Sequence, residues 1–137
     1  MIDQDCPIAA VRDYFANDHF ATEACGCRVV EAECGHAVCE FDIAEIHLNA
    51  QGGVMGGAIF TLADFALAIA SNIGEEPTVA VDNDIRFIGK PKGKTLRATS
   101  DVDKSGRTLG FYTVKVTDEL GTPVAVMTAT SFGRNRH

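Results

Sequence analysis

Apolar residues recur along this chain with two periods, one helical and one typical of strands. Behind Pro7, the residues Ile8, Val11, Tyr14 and Phe15 fall at helical spacing. Proline suits a helix start, so a short helix is predicted over about 7–17. Two partly alternating runs follow at 26–33 and 37–43, joined by Cys34-Gly35-His36. They read as a hairpin with His36 turned to solvent. Residues 45–57 hold four glycines and read as a loop. Between positions 58 and 70 every residue is apolar or small except Thr61 and Asp64, so a helix over about 56–72 should be hydrophobic almost all round and buried. A membrane span is disfavoured, because the uninterrupted apolar stretches are short and a carboxylate sits among them. Strand-like runs near 78–88, 94–103, 107–118 and 123–133 complete the chain, with turns at Lys90-Pro91-Lys92-Gly93, Asp103-Lys104-Ser105-Gly106 and Asp118-Glu119-Leu120-Gly121. One long buried helix among six strands predicts an antiparallel sheet wrapped around it, an α+β architecture in one domain spanning 1–137.

Composition narrows the function classes. The 137 residues are 46% hydrophobic and contain no Trp, which is enough for one core. Net charge is −7, but it is unevenly placed. Residues 1–83 carry 2 basic and 14 acidic side chains, whereas residues 84–107 carry 7 basic and 3 acidic. Such a balance argues against general binding to nucleic acid or anionic membranes. It leaves room for a small polyanionic ligand at the basic segment. The acidic start, Met1-Ile2-Asp3-Gln4-Asp5, lacks the pattern of a secretory signal. Five cysteines, at 6, 25, 27, 34 and 39, cannot all pair within one chain. Reduced thiols in a cytoplasmic protein are therefore expected. The spacing of Cys25, Cys27, Cys34, His36 and Cys39 lacks the paired knuckles of a structural zinc site, so no metal is expected.

Asp64 is the sharpest single residue, being the only charge between Glu45 and Glu75. A carboxylate on a buried helix either bonds a neighbouring loop or serves as a desolvated base or nucleophile with a raised pKa. The glycines ahead of the helix favour chemistry. At Gly56 and Gly57 free backbone N–H groups and the positive end of the helix dipole face outward, and no side chain blocks an approaching carbonyl. That is an oxyanion hole in outline. The spacing of Gly52, Gly53, Gly56 and Gly57 matches neither a Walker loop nor a dinucleotide fingerprint. Eight residues separate Gly56 from Asp64, about 12 Å along one helix, whereas a base works within roughly 3 Å of its target. Two such helices packed antiparallel about a twofold axis would bring Gly56 of one chain to Asp64 of the other. If both residues are catalytic, the protein is an obligate dimer.

The stretch from His47-Leu48-Asn49 through Gly56-Gly57 to Leu62-Ala63-Asp64 resembles the signature of hotdog-fold thioesterases of the phenylacetate-degradation (PaaI-like) type. The likeness continues through Asp82-Asn83-Asp84-Ile85-Arg86-Phe87, Gly93-Lys94-Thr95-Leu96-Arg97-Ala98 and Gly106-Arg107-Thr108-Leu109. It implies a hotdog fold and an acyl-CoA thioesterase acting as a homodimer or a dimer of dimers, a homotetramer. It also implies that the Gly56 amide polarises the thioester carbonyl, Asn49 lies beside the carbonyl or the attacking water, and Asp64 of the partner chain is general base or nucleophile. Gly57 would permit close approach. Two departures stand out: Met55 occupies the usual His position, and Ala80 lies where some relatives carry a hydroxyl. A thioether neither titrates nor donates a hydrogen bond. His47 borders the motif, where it either contacts substrate or holds the loop. Lys90, Lys92 and Lys94, with Arg97 and Arg107, are candidates to meet the phosphates of CoA. CoA enters as part of the substrate, and no other cofactor is expected. An acyl-CoA-binding protein without turnover is the competing reading. A hotdog dehydratase ranks below both, since no His is placed to pair with Asp64.

Overall fold

The computed structural model describes residues 2–74 and 77–133. The first helix, α1 (Ile8–Phe15), buries Val11 and Phe15, and a single turn of π-helix follows at Phe20–Ala24. Strands β1 (Arg28–Glu33) and β2 (His36–Asp42) form the hairpin that the pattern predicts. A 3-10 turn at Glu45–His47 opens the loop that runs into α2 (Gly56–Asn72). The remaining strands are β3 (Val79–Phe87), β4 (Thr95–Ser105), β5 (Leu109–Asp118) and β6 (Pro123–Phe132). All six form one antiparallel sheet in the order β1-β2-β4-β5-β6-β3.

Strand alternation sets one face of the sheet against α2. Gly110, Tyr112, Val114, Val116 and Asp118 of β5 are buried while their neighbours are exposed or half-buried, the period of a strand with one covered face. Phe41 of β2, Leu96 and Ala98 of β4, and Met127 of β6 join them in the core. The helix packs chiefly on β2 and β4. Its other flank meets the N-terminal segment, where Phe15 and Phe65 stack edge to face at 6.1 Å. Covered on both sides, α2 buries Ile59, Leu62, Phe65, Leu67 and Ile69, each worth about 1.5–3 kcal/mol of transfer free energy. Among the described residues no helix is long and apolar enough to cross a membrane.

Two details depart from the pattern. The turn expected at 103–106 begins later, because β4 continues to Ser105 through a bulge between Val102 and Lys104. An extra residue at a bulge lets a ladder resume after a break in alternation. His36 does not face open solvent. It begins β2 half-buried, with Nδ1 2.6 Å from Asp101 and Nε2 3.2 Å from Glu31.

Candidate active site

A cavity of about 780 Å³ opens at the N-terminal end of α2. One wall is the loop from Leu48 to Val54, the floor is Gly56 and Ile59 of α2, and the opposite wall is Phe87 to Pro91 with Gly93. Helix α2 begins without a side-chain cap. Among the described residues neither the Gly56 nor the Gly57 amide has a hydrogen-bond acceptor, while Ala58 and Ile59 donate back to the Met55 carbonyl. Gly56, with its free donor at the positive end of the helix dipole, therefore lines the cavity, whereas Gly57 does not. The Phe87 ring lies close beside Gly56, where an added Cβ would be 3.1 Å from its Cζ. Any side chain at 56 would press on that ring.

The loop is held by buried and backbone contacts. His47 is buried and stacks on Phe41 at 4.0 Å between ring centres. Its Nδ1 accepts from the Ala44 amide at 2.9 Å, which leaves the proton on Nε2 to be donated to the Cys25 carbonyl at 2.7 Å. With both nitrogens engaged and the ring enclosed, His47 holds the loop and does not line the cavity. Asn49 does line it. Its Oδ1 accepts from the Gln51 and Gly53 amides at 3.0 and 3.1 Å, and Gly52 turns with φ of +84°. Met55 is 55% exposed at the helix start, and its amide donates to the His47 carbonyl at 2.8 Å. That contact belongs to the backbone, so it does not depend on the side chain at 55.

Two carboxylates shape the opposite wall. Asp118 is buried and accepts from the Lys92, Gly93, Leu120 and Thr122 amides at 2.8–3.0 Å. Glu119 accepts from Lys94 and Thr95. Burial alone would push the Asp118 carboxyl upward, but its backbone hydrogen bonds outweigh that and hold it far below the usual carboxylate range. A depressed folded-state pKa contributes stability above the unfolded value of about 3.9 and loses it as pH falls further. Asp118→Ala is accordingly expected to lower Tm by roughly 5 °C or more at pH 7. The deficit relative to the unmodified protein should shrink below about pH 4 in a thermal melt series. The wall so fixed carries Lys90 at the cavity, whereas Lys92 and Lys94 are exposed beside it and do not line it.

Asp64 is placed elsewhere. It is half-buried on α2 where β3 passes over the helix, and Asn83 Nδ2 donates to its Oδ1 at 3.3 Å. Burial pushes its pKa up, the Asn83 hydrogen bond pulls it down, and the charge of Asp18 pushes it up again, leaving it above the usual carboxylate range. Ala80 sits near the start of β3, opposite the buried Ser131 of β6. Asp64 does not line the cavity that holds Asn49, Gly56 and Lys90, because about two turns of α2 separate it from Gly56. No group of His, Cys, Asp and Glu is placed to hold a metal ion among the described residues.

The sequence does not single out Phe87, Ile88 and Pro91, which line the cavity, or Asn83, which reaches Asp64 from a strand. The available signal was the period of β3, which puts Asn83, Ile85 and Phe87 on one face. Comparison with known proteins follows the same geometry. Residues 51–125 match the Thioesterase superfamily. The chain is 32% identical over 114 residues to the acyl-coenzyme A thioesterase PaaI of Escherichia coli, covering 82% of this chain and 80% of that protein. The solved structure of the E. coli PaaI protein from the phenylacetic acid degradation operon superimposes with a TM-score of 0.82 at 26% identity, over 93% of this chain and 95% of that one. A Streptococcus mutans protein solved bound to acetyl-CoA superimposes with a TM-score of 0.75 at 28% identity, over 81% and 90% of the two chains. With the six-stranded sheet and the long central helix in common, the chain belongs to the thioesterase superfamily and is a PaaI-like thioester hydrolase of the hotdog fold.

Proposed function

We propose that the protein hydrolyses acyl-CoA to free acid and CoA, with a site completed by two chains. The observation that carries this reading is the division of the functional groups along α2: the unpaired Gly56 amide at a cavity on one end, a desolvated carboxylate eight residues on, and one helix too stiff to bring them together. Strand β3 offers the means of pairing. It lies at the sheet edge, and Val79 and Val81 are 62% and 58% exposed. An exposed apolar edge invites another strand, and the same strand of a second copy satisfies it about a twofold axis. Such a homodimer, alone or doubled into a tetramer, has two equivalent sites.

The chemistry then follows from position. The thioester carbonyl oxygen lies against the Gly56 amide, with Gly57 giving clearance and Asn49 beside it. Asp64 of the partner subunit takes a proton from water as the water oxygen bonds to the carbonyl carbon. The tetrahedral intermediate carries its negative charge toward the helix N-terminus, where it is stabilised. The carbon–sulfur bond then breaks, and the leaving thiolate takes up the proton, giving acid and CoA. Asp64 acting instead as a nucleophile would use the same placement. CoA extends from the cavity toward Lys90, with Lys92 and Lys94 near its phosphates. The free thiols of Cys6, Cys25, Cys27 and Cys39 suit work in the cytoplasm.

A hydrolysis screen with aromatic and straight-chain acyl-CoAs, read by thiol release, tests the reading; tight binding with no turnover on any of them would sink it. The basic wall has its own test. Raising salt from about 50 to 500 mM, or changing Lys90, Lys92 and Lys94 together to Ala, should raise KM several-fold while kcat holds, because charge-assisted phosphate contacts are screened. If neither treatment alters KM, the lysines are ordinary surface.

A further inference from the structure

Asn83 is an unusual choice for its place in the sheet. Its register partner is Ala129 and that of Ile85 is Met127, both buried, so Asn83 and Ile85 turn toward α2 while Asp82 and Asp84 take the outer face. A strand position facing a helix flank is ordinarily apolar, as Ile85 is. Asn83 instead puts an amide there, with Oδ1 enclosed and without a hydrogen-bond partner among the described residues. An enclosed amide with one end unpaired costs stability, so packing does not account for it. Its other end reaches the one carboxylate of the buried helix, Nδ2 to Asp64 Oδ1 at 3.3 Å.

We propose that Asn83 is the positioning residue of Asp64, its N–H fixing the carboxylate in the orientation from which Asp64 serves the reacting carbonyl. This rests on the reading of Asp64 as the base. A carboxylate on a half-buried helix flank has two rotatable bonds, and a hydrogen bond from a neighbouring strand removes that freedom before substrate arrives. The donor also favours the ionised form against the burial that disfavours it. The other charged group acting on Asp64 is Asp18, between α1 and the π turn, and its charge opposes ionisation. Among the described residues no further charge contributes to the shift of Asp64.

The test uses Asn83→Leu, which keeps the volume in apolar surroundings, and Asn83→Ala as a second variant. Two quantities are followed: the pH profile of kcat/KM on the best acyl-CoA substrate, and the midpoint of the Asp64 carboxyl titration by carbon NMR. Loss of the donor should move the acid limb and the NMR midpoint upward together by about one pH unit. In both variants kcat should fall about tenfold, with KM within about twofold. A purely structural asparagine would leave kcat on the pH plateau unchanged, and either an undiminished plateau kcat or unmoved midpoints in both variants overturns the proposal. Undiminished turnover by Asp64→Ala would overturn the reading of Asp64 as base, and with it the catalytic part played by Asn83.

Discussion

Asp64→Ala is expected to lower kcat for acyl-CoA hydrolysis by about a thousandfold, the scale of losing a placed general base, with KM little changed. The fold should survive. The carboxylate is half-buried and desolvated and, among the described residues, has one polar partner, Asn83, so truncating it removes an unfavourable burial along with that hydrogen bond. Thermal melting within a few degrees of the unmodified protein is the expected control. In the unmodified protein the acid limb of kcat/KM should lie above the ordinary aspartate value of about 3.9, because burial raises the Asp64 pKa and only the ionised form accepts a proton. A variant that folds and keeps most of its turnover would show that Asp64 is not the base.

Subunit mixing should restore what two dead variants have each lost. Gly56→Val should set a branched side chain against Phe87, whose Cζ would lie 3.1 Å from the added Cβ, and crowd the amide, while Asp64→Ala removes the proposed base. If the site is built from two chains as proposed, each variant alone has both of its sites broken. In a mixed dimer, one site pairs the intact Gly56 of the Asp64→Ala chain with the intact Asp64 of the Gly56→Val chain. Random reassociation of equal amounts makes half the dimers mixed, each with one working site of two, so about a quarter of full activity should return. Activity no higher than the sum of the separate variants would place the site within one chain. It would also leave the reach from Gly56 to Asp64 unexplained.

Much of this protein is legible along the chain, for reasons that can be named. Helix α2 shows itself because its apolar run is longer than a strand and is headed by glycines; both of its ends fall at Gly56 and Asn72, as the pattern predicts. The hairpin of β1 and β2 shows itself through alternation around a tight turn. The turn after β4 does not, since a bulge is a local break in period that reads like the beginning of a loop. His36 shows the same limit. Its place at a turn suggests solvent, and only pairing across β2 and β4 sets Asp101 beside it.

At the site the division is sharper. Local order along the chain determines that Gly56 and Asp64 share one helix and that a single copy cannot bring them together, because the rise per residue of an α-helix is fixed. The motif around Asn49 and Gly56 is likewise contiguous, so it can be read without coordinates. What Asp64 touches, that His47 is locked between Ala44 and Cys25, and that Phe87 and Lys90 face Gly56 across a cavity are matters of tertiary structure alone. Asn83 is 19 residues from Asp64, and the cavity joins a loop before α2 to one after β3. Contacts between segments so far apart depend on strand register and on how the sheet curves over the helix, and neither quantity has a period that one segment can display by itself.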